Sequence, residues 1–225
     1  MRAVLSVGGS ILMRGFSSKR IEEYAKVIDE IAEENKIFVV VGGGEMARRY
    51  IKISRDLGSD ESHSDYIGIG ITRMNAKLLI SALSDKAYPE VPENFREAKR
   101  ASLLKDIVVM GGTEPGHTTD AVSAILSEYV DADILINATS VDGVYEEDPK
   151  KNPRAKRFDH LTPKALIEII IRSEMNAGAN TVLDILAAKI IERSRIPTYI
   201  IDGSDPKNML KALRGEKIGT KVGVR

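Results

Sequence analysis

Three glycine clusters each follow a run of apolar, mostly β-branched residues. The clusters and their preceding runs are Gly8-Gly9-Ser10 after Ala3–Val7, Gly42-Gly43-Gly44 after Ile37–Val41, and Gly111-Gly112-Thr113 after Ile107–Met110. Such runs are typical of strands buried on both faces of a parallel sheet, and glycines at strand ends let backbone N–H groups approach an anion closely. A helix that begins there adds the positive end of its dipole. Three clusters at one sheet edge therefore predict a ligand with several phosphates.

Two common phosphate-binding patterns can be compared with these clusters. The Walker pattern G-x-x-x-x-G-K-[ST] is absent. Gly42-x-Gly44-x-x-Ala47 does match the dinucleotide pattern, and Asp60 or Asp65 follows roughly 20 residues later. That pattern, however, follows the second strand, and a dinucleotide leaves the other two clusters unexplained. A nicotinamide-dependent oxidoreductase is therefore an alternative that binding of NADH would test.

Strand and helix patterns alternate along the chain and would carry the clusters to one edge. Besides the three strands above, the pattern predicts two further strands at Ile134–Asn137 and Thr198–Ile201. It predicts helices at Glu45–Leu57, Asp65–Leu83, Glu93–Leu104, Pro163–Arg172 and Thr181–Arg193. Repeated βα units with buried strands favour a parallel sheet covered on both faces. We therefore predict an α/β fold, a three-layer sandwich around a mainly parallel sheet. The charged segment Tyr145–Arg157 is predicted to be a mobile loop.

Composition excludes several classes of function. The chain has 225 residues, with 33 Lys+Arg against 33 Asp+Glu and a formal charge of +0. This balance gives no indication of the basic excess that a broad nucleic-acid interface needs. The absence of cysteine excludes disulfides, thiolate catalysis and zinc–thiolate sites. Since no apolar stretch approaches the length of a membrane span, we expect a cytoplasmic protein with neither nucleic acid nor membrane as partner.

Four motifs together resemble the amino-acid-kinase superfamily. They are S-V-G-G-S at Ser6–Ser10, V-V-V-G-G-G-E-M-A-R at Val39–Arg48, G-G-T-E-P-G-H-T-T-D at Gly111–Asp120 and S-V-D-G-V-Y at Ser140–Tyr145. Within it, the chain is similar to the uridylate kinases of the archaeal type, and the similarity extends to Asp184–Ile191 and Gly219–Val222. The resemblance implies an enzyme of pyrimidine biosynthesis that transfers the γ-phosphate of ATP to UMP and gives UDP.

The resemblance also implies an acceptor site. The positions that would bind UMP are Gly43, Asp65, Thr113, Glu114, Pro115, Gly116, His117, Thr118 and Thr119. Asp65 would accept hydrogen bonds from the ribose hydroxyls, and the loop from Thr113 to Thr119 would surround the uracil and the 5′-phosphate. Taken alone, Asp65 could equally be a helix N-cap, and Thr118-Thr119-Asp120 is also ordinary capping chemistry.

By the same resemblance, the transferred phosphoryl group would lie near four predicted catalytic residues, which are Gly9, Ser10, Arg48 and Asp142. The residues that would bind ATP are Gly9, Ser10, Gly44, Arg48, Thr139, Tyr145 and Asp148. Asp142 would organise the phosphate-binding cations, and Mg²⁺ would be held mainly by the nucleotide phosphates, with no metal site made by the protein. Without the family context, Arg48 would be a solvated surface residue and Asp142-Gly143 a turn.

Ser6 departs from the pattern of the superfamily. Many members carry a lysine at this position, and that lysine neutralises charge on the transferred phosphate. Here the charge needs another cation, such as Mg²⁺ with Arg48 or the side chain of Lys189, or the chemistry is impaired. An impaired kinase would survive as a nucleotide-binding sensor or storage protein, which binds ATP without turnover.

The resemblance further implies two lobes within one continuous domain. Residues 1–130 would form the acceptor lobe and residues 131–225 the ATP lobe. It also implies a homohexamer and inhibition by UTP. A kinase of the same superfamily for another small acceptor, such as an amino acid or an isoprenoid phosphate, is a further alternative. Asp65 separates the two, because an acceptor without a ribose has no need of its carboxylate.

Overall fold

The computed structural model describes residues 1–147, 149, 152, 154–175 and 182–223. In these ranges the strands are β1 (Arg2–Val7), β2 (Lys36–Val41), β3 (Ile107–Met110), β4 (Ile134–Thr139), β5 (His160–Leu161), β6 (Thr198–Asp202) and β7 (Thr220–Val222). The helices are α1 (Gly9–Leu12), α2 (Ser18–Ile31), α3 (Gly44–Asp56), α4 (Glu61–Ile80), α5 (Phe95–Ala101), α6 (Thr119–Tyr129), α7 (Pro163–Met175), α8 (Ile185–Ser194) and α9 (Lys207–Leu213). A single 3₁₀ turn, Arg14–Phe16, joins α1 to α2.

One sheet with the strand order β3-β2-β1-β4-β6-β7-β5 runs through these ranges. All pairs from β3 to β6 are parallel, and only the β6–β7 pair of this sheet is antiparallel. The first strand of the chain therefore lies between β2 and β4. Because the strands from β3 to β6 point the same way, the loops that follow them share one edge of the sheet.

Helices cover both faces of this sheet, because alternate strand residues point to opposite sides. On β1, Leu5 packs with residues of α2 and α9, whereas Val4 packs with residues of α6 and α8. The strands β1 to β4 and β6 are buried almost throughout on both faces, which explains their largely apolar sequences. The predicted three-layer α/β sandwich around a mainly parallel sheet is confirmed.

Two helices begin four residues away from their predicted starts. The helix predicted from Asp65 begins at Glu61, because the Asp60 side chain caps it by accepting a 2.8 Å hydrogen bond from the His63 N–H. The helix predicted from Thr181 begins at Ile185, after the N-cap Asp184. In both cases a short acidic side chain sets the first turn, and apolar periodicity alone did not locate it.

The segment predicted to be a mobile loop is closed at its ends. Tyr145 and Arg157 form an antiparallel bridge, and the Glu146 N–H donates to the Lys156 carbonyl at 3.1 Å. Asp148, a predicted ATP-binding residue within this segment, lies outside the described residues. Among the helices of the described ranges, none is both long and apolar enough to cross a membrane.

Candidate active site

The loops after β1 and β2 touch through their backbones. The Gly42 N–H donates to the Val7 carbonyl at 2.9 Å. A Cβ atom on Gly9 would lie 2.6 Å from the carbonyl carbon of Gly42, and one on Gly44 would lie 2.6 Å from that of Gly9. Neither position has room for a side chain. Glycine is therefore required by the contact itself, and not only by the turns.

Two helix starts meet at this contact. α1 begins at Gly9 and α3 begins at Gly44, which adopts a left-handed φ of 65°. N–H groups in the first turn of a helix have no partner within the helix. Because a Cβ atom on Gly44 would lie 2.9 Å from the Ser10 nitrogen, the two first turns lie side by side. The arrangement presents neighbouring backbone donors to an anion.

The third glycine cluster has a different role from the one predicted. The Gly112 N–H donates to the Thr72 hydroxyl at 2.7 Å, and a Cβ atom on Gly111 would lie 2.7 Å from the Arg73 nitrogen. These glycines therefore let α4 approach the end of β3 closely. The prediction that all three clusters present N–H groups to phosphates is wrong for Gly112, whose donor is already used.

The predicted acceptor loop is attached to α4 by Asp65. The Asp65 carboxylate accepts a 2.8 Å hydrogen bond from the Gly116 N–H, and Gly116 has a left-handed φ of 77°. Asp65 lies in the second turn of α4, so it is not the N-cap. Thr113 is buried, and its hydroxyl has no hydrogen-bond partner among the described residues. An unpaired buried hydroxyl beside an exposed loop is a group that a ligand can satisfy.

The rest of this loop is a tight turn that leads into α6. The His117 N–H donates to the Glu114 carbonyl at 3.3 Å across Pro115, and the buried His117 Nδ1 finds no partner in the described part of the chain. Thr118 caps α6, since its hydroxyl accepts from the Ala121 N–H at 3.1 Å. The Thr119 hydroxyl lies 3.3 Å from the place that a Cβ atom on Gly42 would take. The acceptor loop therefore reaches the glycine contact.

A cluster of acidic and hydroxyl groups lies behind the β1 loop. The half-buried Asp120 carboxylate accepts from the Asn137 amide at 3.2 Å and from the Ser6 hydroxyl at 3.5 Å. The Thr118 hydroxyl donates to the Asp184 carboxylate. Burial raises the pKa of Asp120 to about 7, the nearby Asp184 carboxylate adds to the rise, and the hydrogen bonds from Asn137 and Ser6 oppose it. Ser6 thus contacts an acidic group that a lysine would neutralise.

Asp142 and Tyr145 are brought together beyond the end of β4. The Tyr145 hydroxyl donates to Asp142 at 2.8 Å, which raises the pKa of Tyr145, and Arg157 forms a 3.0 Å ion pair with the same carboxylate. Neither Asp142 nor Tyr145 hydrogen-bonds to the glycine loops in the described ranges. Because the Gly8 N–H donates to the Ala138 carbonyl at 3.1 Å, β4 places this group next to the β1 loop.

The remaining predicted residues fall in two different environments. Thr139 ends β4, and its carbonyl accepts from the Gly203 N–H at 2.8 Å. Arg48 is exposed on α3 and has no ion pair or hydrogen bond within the described part of the chain. Lys189, considered as a replacement cation, is exposed on α8 and pairs with Glu192 at 3.2 Å. Of the two cations, Arg48 is the one available to a ligand.

An arginine that sequence reasoning missed joins the two halves of this edge. The Arg20 guanidinium donates to the Ile11 carbonyl at 3.2 Å and to the Gly203 carbonyl at 3.0 Å. The buried Tyr24 hydroxyl donates to the same Gly203 carbonyl, and the Arg20 guanidinium lies 4.9 Å from the Tyr24 ring. Arg20 thus fixes α1, which begins with Gly9, to the loop after β6. No motif indicates this, because an arginine on a helix is most often solvated.

Sequence reasoning also missed Thr72, Asn75 and Arg157. Thr72 and Asn75 are buried and lie three residues apart within α4. Buried polar side chains at helical spacing in an otherwise apolar stripe are the signal that could have identified them. Arg157 gave no signal, since it lies in a segment with many other charges.

Comparison with known proteins gives a consistent result. The family model described as "Amino acid kinase family" matches residues 1–202. A protein named uridylate kinase from Archaeoglobus fulgidus is 54% identical over 99% of this chain and 100% of its own length, and one from Methanobrevibacter smithii is 50% identical over 99% of each chain. The crystal structure of the uridylate kinase from Archaeoglobus fulgidus superposes with a TM-score of 0.91 at 52% identity, covering 99% of this chain and 100% of that one. The resemblance predicted from the motifs is confirmed, and the chain belongs to the amino acid kinase family.

Proposed function

We propose that this protein is a UMP kinase, which catalyses ATP + UMP → ADP + UDP. The observation that carries the proposal is the backbone contact of Gly9 with Gly42 and Gly44, which puts the donors of two helix starts side by side. Full-length relatives named uridylate kinases, at 50–54% identity, support the same function.

The chemical step is a transfer of the γ-phosphoryl group of ATP. An oxygen of the UMP phosphate attacks the γ-phosphorus, and the bond from that phosphorus to the β,γ-bridging oxygen breaks, so ADP leaves. The attacking oxygen is already anionic near neutral pH, so no general base is needed. Catalysis then rests on positioning and on stabilising charge on the transferred group. Backbone donors at Gly9, Ser10 and Gly44 suit that task because they are fixed before the substrate arrives.

On the acceptor side, Gly43, Asp65 and the loop from Thr113 to Thr119 are proposed to bind UMP. The Asp65 carboxylate uses one oxygen for Gly116, and its other lone pairs can accept from ribose hydroxyls. Thr113 has an unpaired buried hydroxyl, and His117 an unpaired nitrogen, for the nucleotide. Such groups discriminate between bases, because a wrong base leaves them unpaired.

We propose that seven residues bind ATP. They are Gly9, Ser10, Gly44, Arg48, Thr139, Tyr145 and Asp148, the last of which lies outside the described residues. Mg²⁺ prefers carboxylate and phosphate oxygens, and Asp142, which lies beyond the end of β4 and pairs with Arg157, would help to organise this cation without forming a metal site of the protein. Mg²⁺ would be held mainly by the ATP phosphates and would neutralise part of their charge. Arg48 supplies a second positive charge, which replaces the charge of the lysine that other family members carry at the position of Ser6.

Several broader properties belong to the same proposal. Residues 1–130 form the acceptor lobe, and residues 131–225 form the ATP lobe. The protein works as a homohexamer, is inhibited by UTP and acts in the cytoplasm, where both nucleotide substrates occur. Sedimentation of the purified protein tests the homohexamer, and titration of its activity with UTP tests the inhibition.

The test of the function is ADP release from ATP and Mg²⁺ with one acceptor at a time. UMP, CMP, AMP, GMP, acetylglutamate and isopentenyl phosphate are offered separately to the purified protein. A Gly44→Ala preparation, purified in the same way, controls for contaminating kinases. Activity on UMP that is absent from the Gly44→Ala preparation is the expected result. Silence with every acceptor, from protein that still binds ATP, would instead favour the nucleotide-binding sensor.

A further inference from the structure

Asn75 is a buried polar residue on the side of α4 that faces the sheet. Its exposure is 5%, and the adjacent Ala76 and nearby Leu79 belong to the apolar core. A buried amide is stable only when it is hydrogen-bonded. The hydrogen-bond partners of Asn75 therefore show which part of the chain its side chain positions.

Those partners are two successive carbonyls of the β2 glycine loop. The Asn75 side-chain amide donates to the Gly42 carbonyl at 2.9 Å and lies 3.4 Å from the Gly43 carbonyl. From the other side, the Gly42 N–H donates to the Val7 carbonyl at 2.9 Å. The start of the glycine loop is thus fixed between the end of β1 and the side chain of a helix.

The two hydrogen bonds from Asn75, together with the 3.4 Å bond from the Ala47 N–H to the Gly43 carbonyl, orient the next two N–H groups. A peptide unit is planar and trans, so its N–H points away from its own C=O. The Gly42 carbonyl shares a unit with the Gly43 N–H, and the Gly43 carbonyl shares one with the Gly44 N–H. With both carbonyls turned toward α4, both N–H groups are turned away from it. On that side, Gly44 packs against Gly9 and Ser10.

We infer that Asn75 is a positioning residue for phosphoryl transfer. It orients the Gly43 and Gly44 peptides so that their N–H groups face the phosphates, and it does not touch a substrate itself. The inference rests on the proposed kinase function for its catalytic consequence. A glycine pair without this constraint can rotate into other backbone conformations at little cost. Misplacing a donor by about 1 Å is enough to lower a rate by roughly 10²-fold.

The experiment compares two variants with a matched control. Asn75→Ala removes the side-chain amide, and Asn75→Asp replaces the donor with an acceptor of nearly the same shape. Thr198→Val is the control, because the buried Thr198 hydroxyl also donates to a backbone carbonyl, at 3.1 Å, but at the opposite end of the sheet. All proteins are assayed at a temperature at which circular dichroism shows them folded.

The expected result is a loss in kcat rather than in binding. We expect kcat to fall by about 10²-fold in Asn75→Ala and in Asn75→Asp. KM for ATP and for UMP should change by only about threefold, because most substrate contacts remain. Thr198→Val should stay within about twofold of wild type. A folded Asn75→Ala protein with wild-type kcat, or an equal loss in Thr198→Val, would overturn the inference.

Hydrogen exchange separates this inference from the proposed function. The amides of Gly42 and Ala47, which lie on either side of the glycine turn and donate to the Val7 and Gly43 carbonyls, should exchange faster in Asn75→Ala than in Thr198→Val of equal global stability. If the wild-type protein does not phosphorylate UMP, the proposed function fails, and the exchange experiment alone decides the role of Asn75. Unchanged exchange in that turn would show that Asn75 does not hold it.

Discussion

The Asp65 carboxylate, in the second turn of α4, accepts a hydrogen bond of 2.8 Å from the backbone N–H of Gly116. This bond joins a helix to a loop far along the chain. The same helix holds the Gly112 N–H through Thr72 and the Gly42 carbonyl through Asn75. One helix therefore positions the loops after two strands, and its side chains divide this task among them.

Replacing Asp65 should weaken the binding of UMP and leave that of ATP unchanged. Asp65→Asn leaves the shape unchanged but removes negative charge and acceptor capacity, so we expect KM for UMP to rise by about 10- to 100-fold, as for loss of a charged hydrogen bond. KM for ATP should stay unchanged. Asp60→Asn is the control, since it changes the N-cap of the same helix. Steady-state kinetics with each nucleotide varied would contradict the assignment if both KM values rose together.

Two neighbouring arginines should differ sharply in their effect on the rate. Arg49 pairs with Glu45 at 2.5 Å on the exposed face of α3, whereas Arg48 has no such partner among the described residues. We expect Arg48→Ala to lower kcat by about 10²-fold or more, because the variant lacks a positive charge that stabilises the transferred phosphoryl group. Arg49→Ala should change it by less than about twofold. Comparable kcat values for Arg48→Ala and wild type would exclude Arg48 from the chemical step.

Asp120 should make the stability fall as pH rises. Burial raises its pKa to about 7 in the folded protein, against an ordinary value of 3.8, so the folded protein keeps a proton that the unfolded chain has lost. Between those two values, stability decreases by at most roughly 1.4 kcal/mol per pH unit for one proton, and the loss is complete above pH 7. Asp120→Asn removes this contribution. Urea unfolding at several pH values from about 4 to 8 measures the wild-type-minus-variant difference, and a difference that does not vary with pH would refute the prediction.

Two glycines with positive φ separate backbone strain from contact at the site. A Cβ atom on Gly44 would meet Gly9 and the Ser10 nitrogen, whereas one on Gly58, at φ 86°, meets nothing within 4 Å. Both alanine variants should lose about 1–2 kcal/mol of stability from the left-handed conformation. Gly44→Ala should lose further stability and nearly all activity, while Gly58→Ala should keep wild-type kcat. Thermal unfolding and the ADP assay measure the two effects, and an active Gly44→Ala enzyme would rule out the proposed contact.

The β-branched runs made the parallel core of the sheet predictable. Such runs have few alternatives to a strand buried on both faces, and glycines at their ends mark the loops. The partners of particular donors were not predictable in the same way. The use of the Gly112 N–H by Thr72, and the ion pair of Arg157 with Asp142, depend on how a helix or a segment packs against a strand end far away in sequence. The local hydrophobic and glycine pattern of the sequence does not predict that packing.

The position of β1 has a consequence for how the protein acquires activity during synthesis. This strand leaves the ribosome before β2 and β4, yet it lies between them, and the Gly8 N–H donates to the Ala138 carbonyl. A nascent chain that has not yet extended past β4 lacks one wall of the β1 loop. Nucleotide binding should therefore begin only after β4 has been synthesised and has paired with β1.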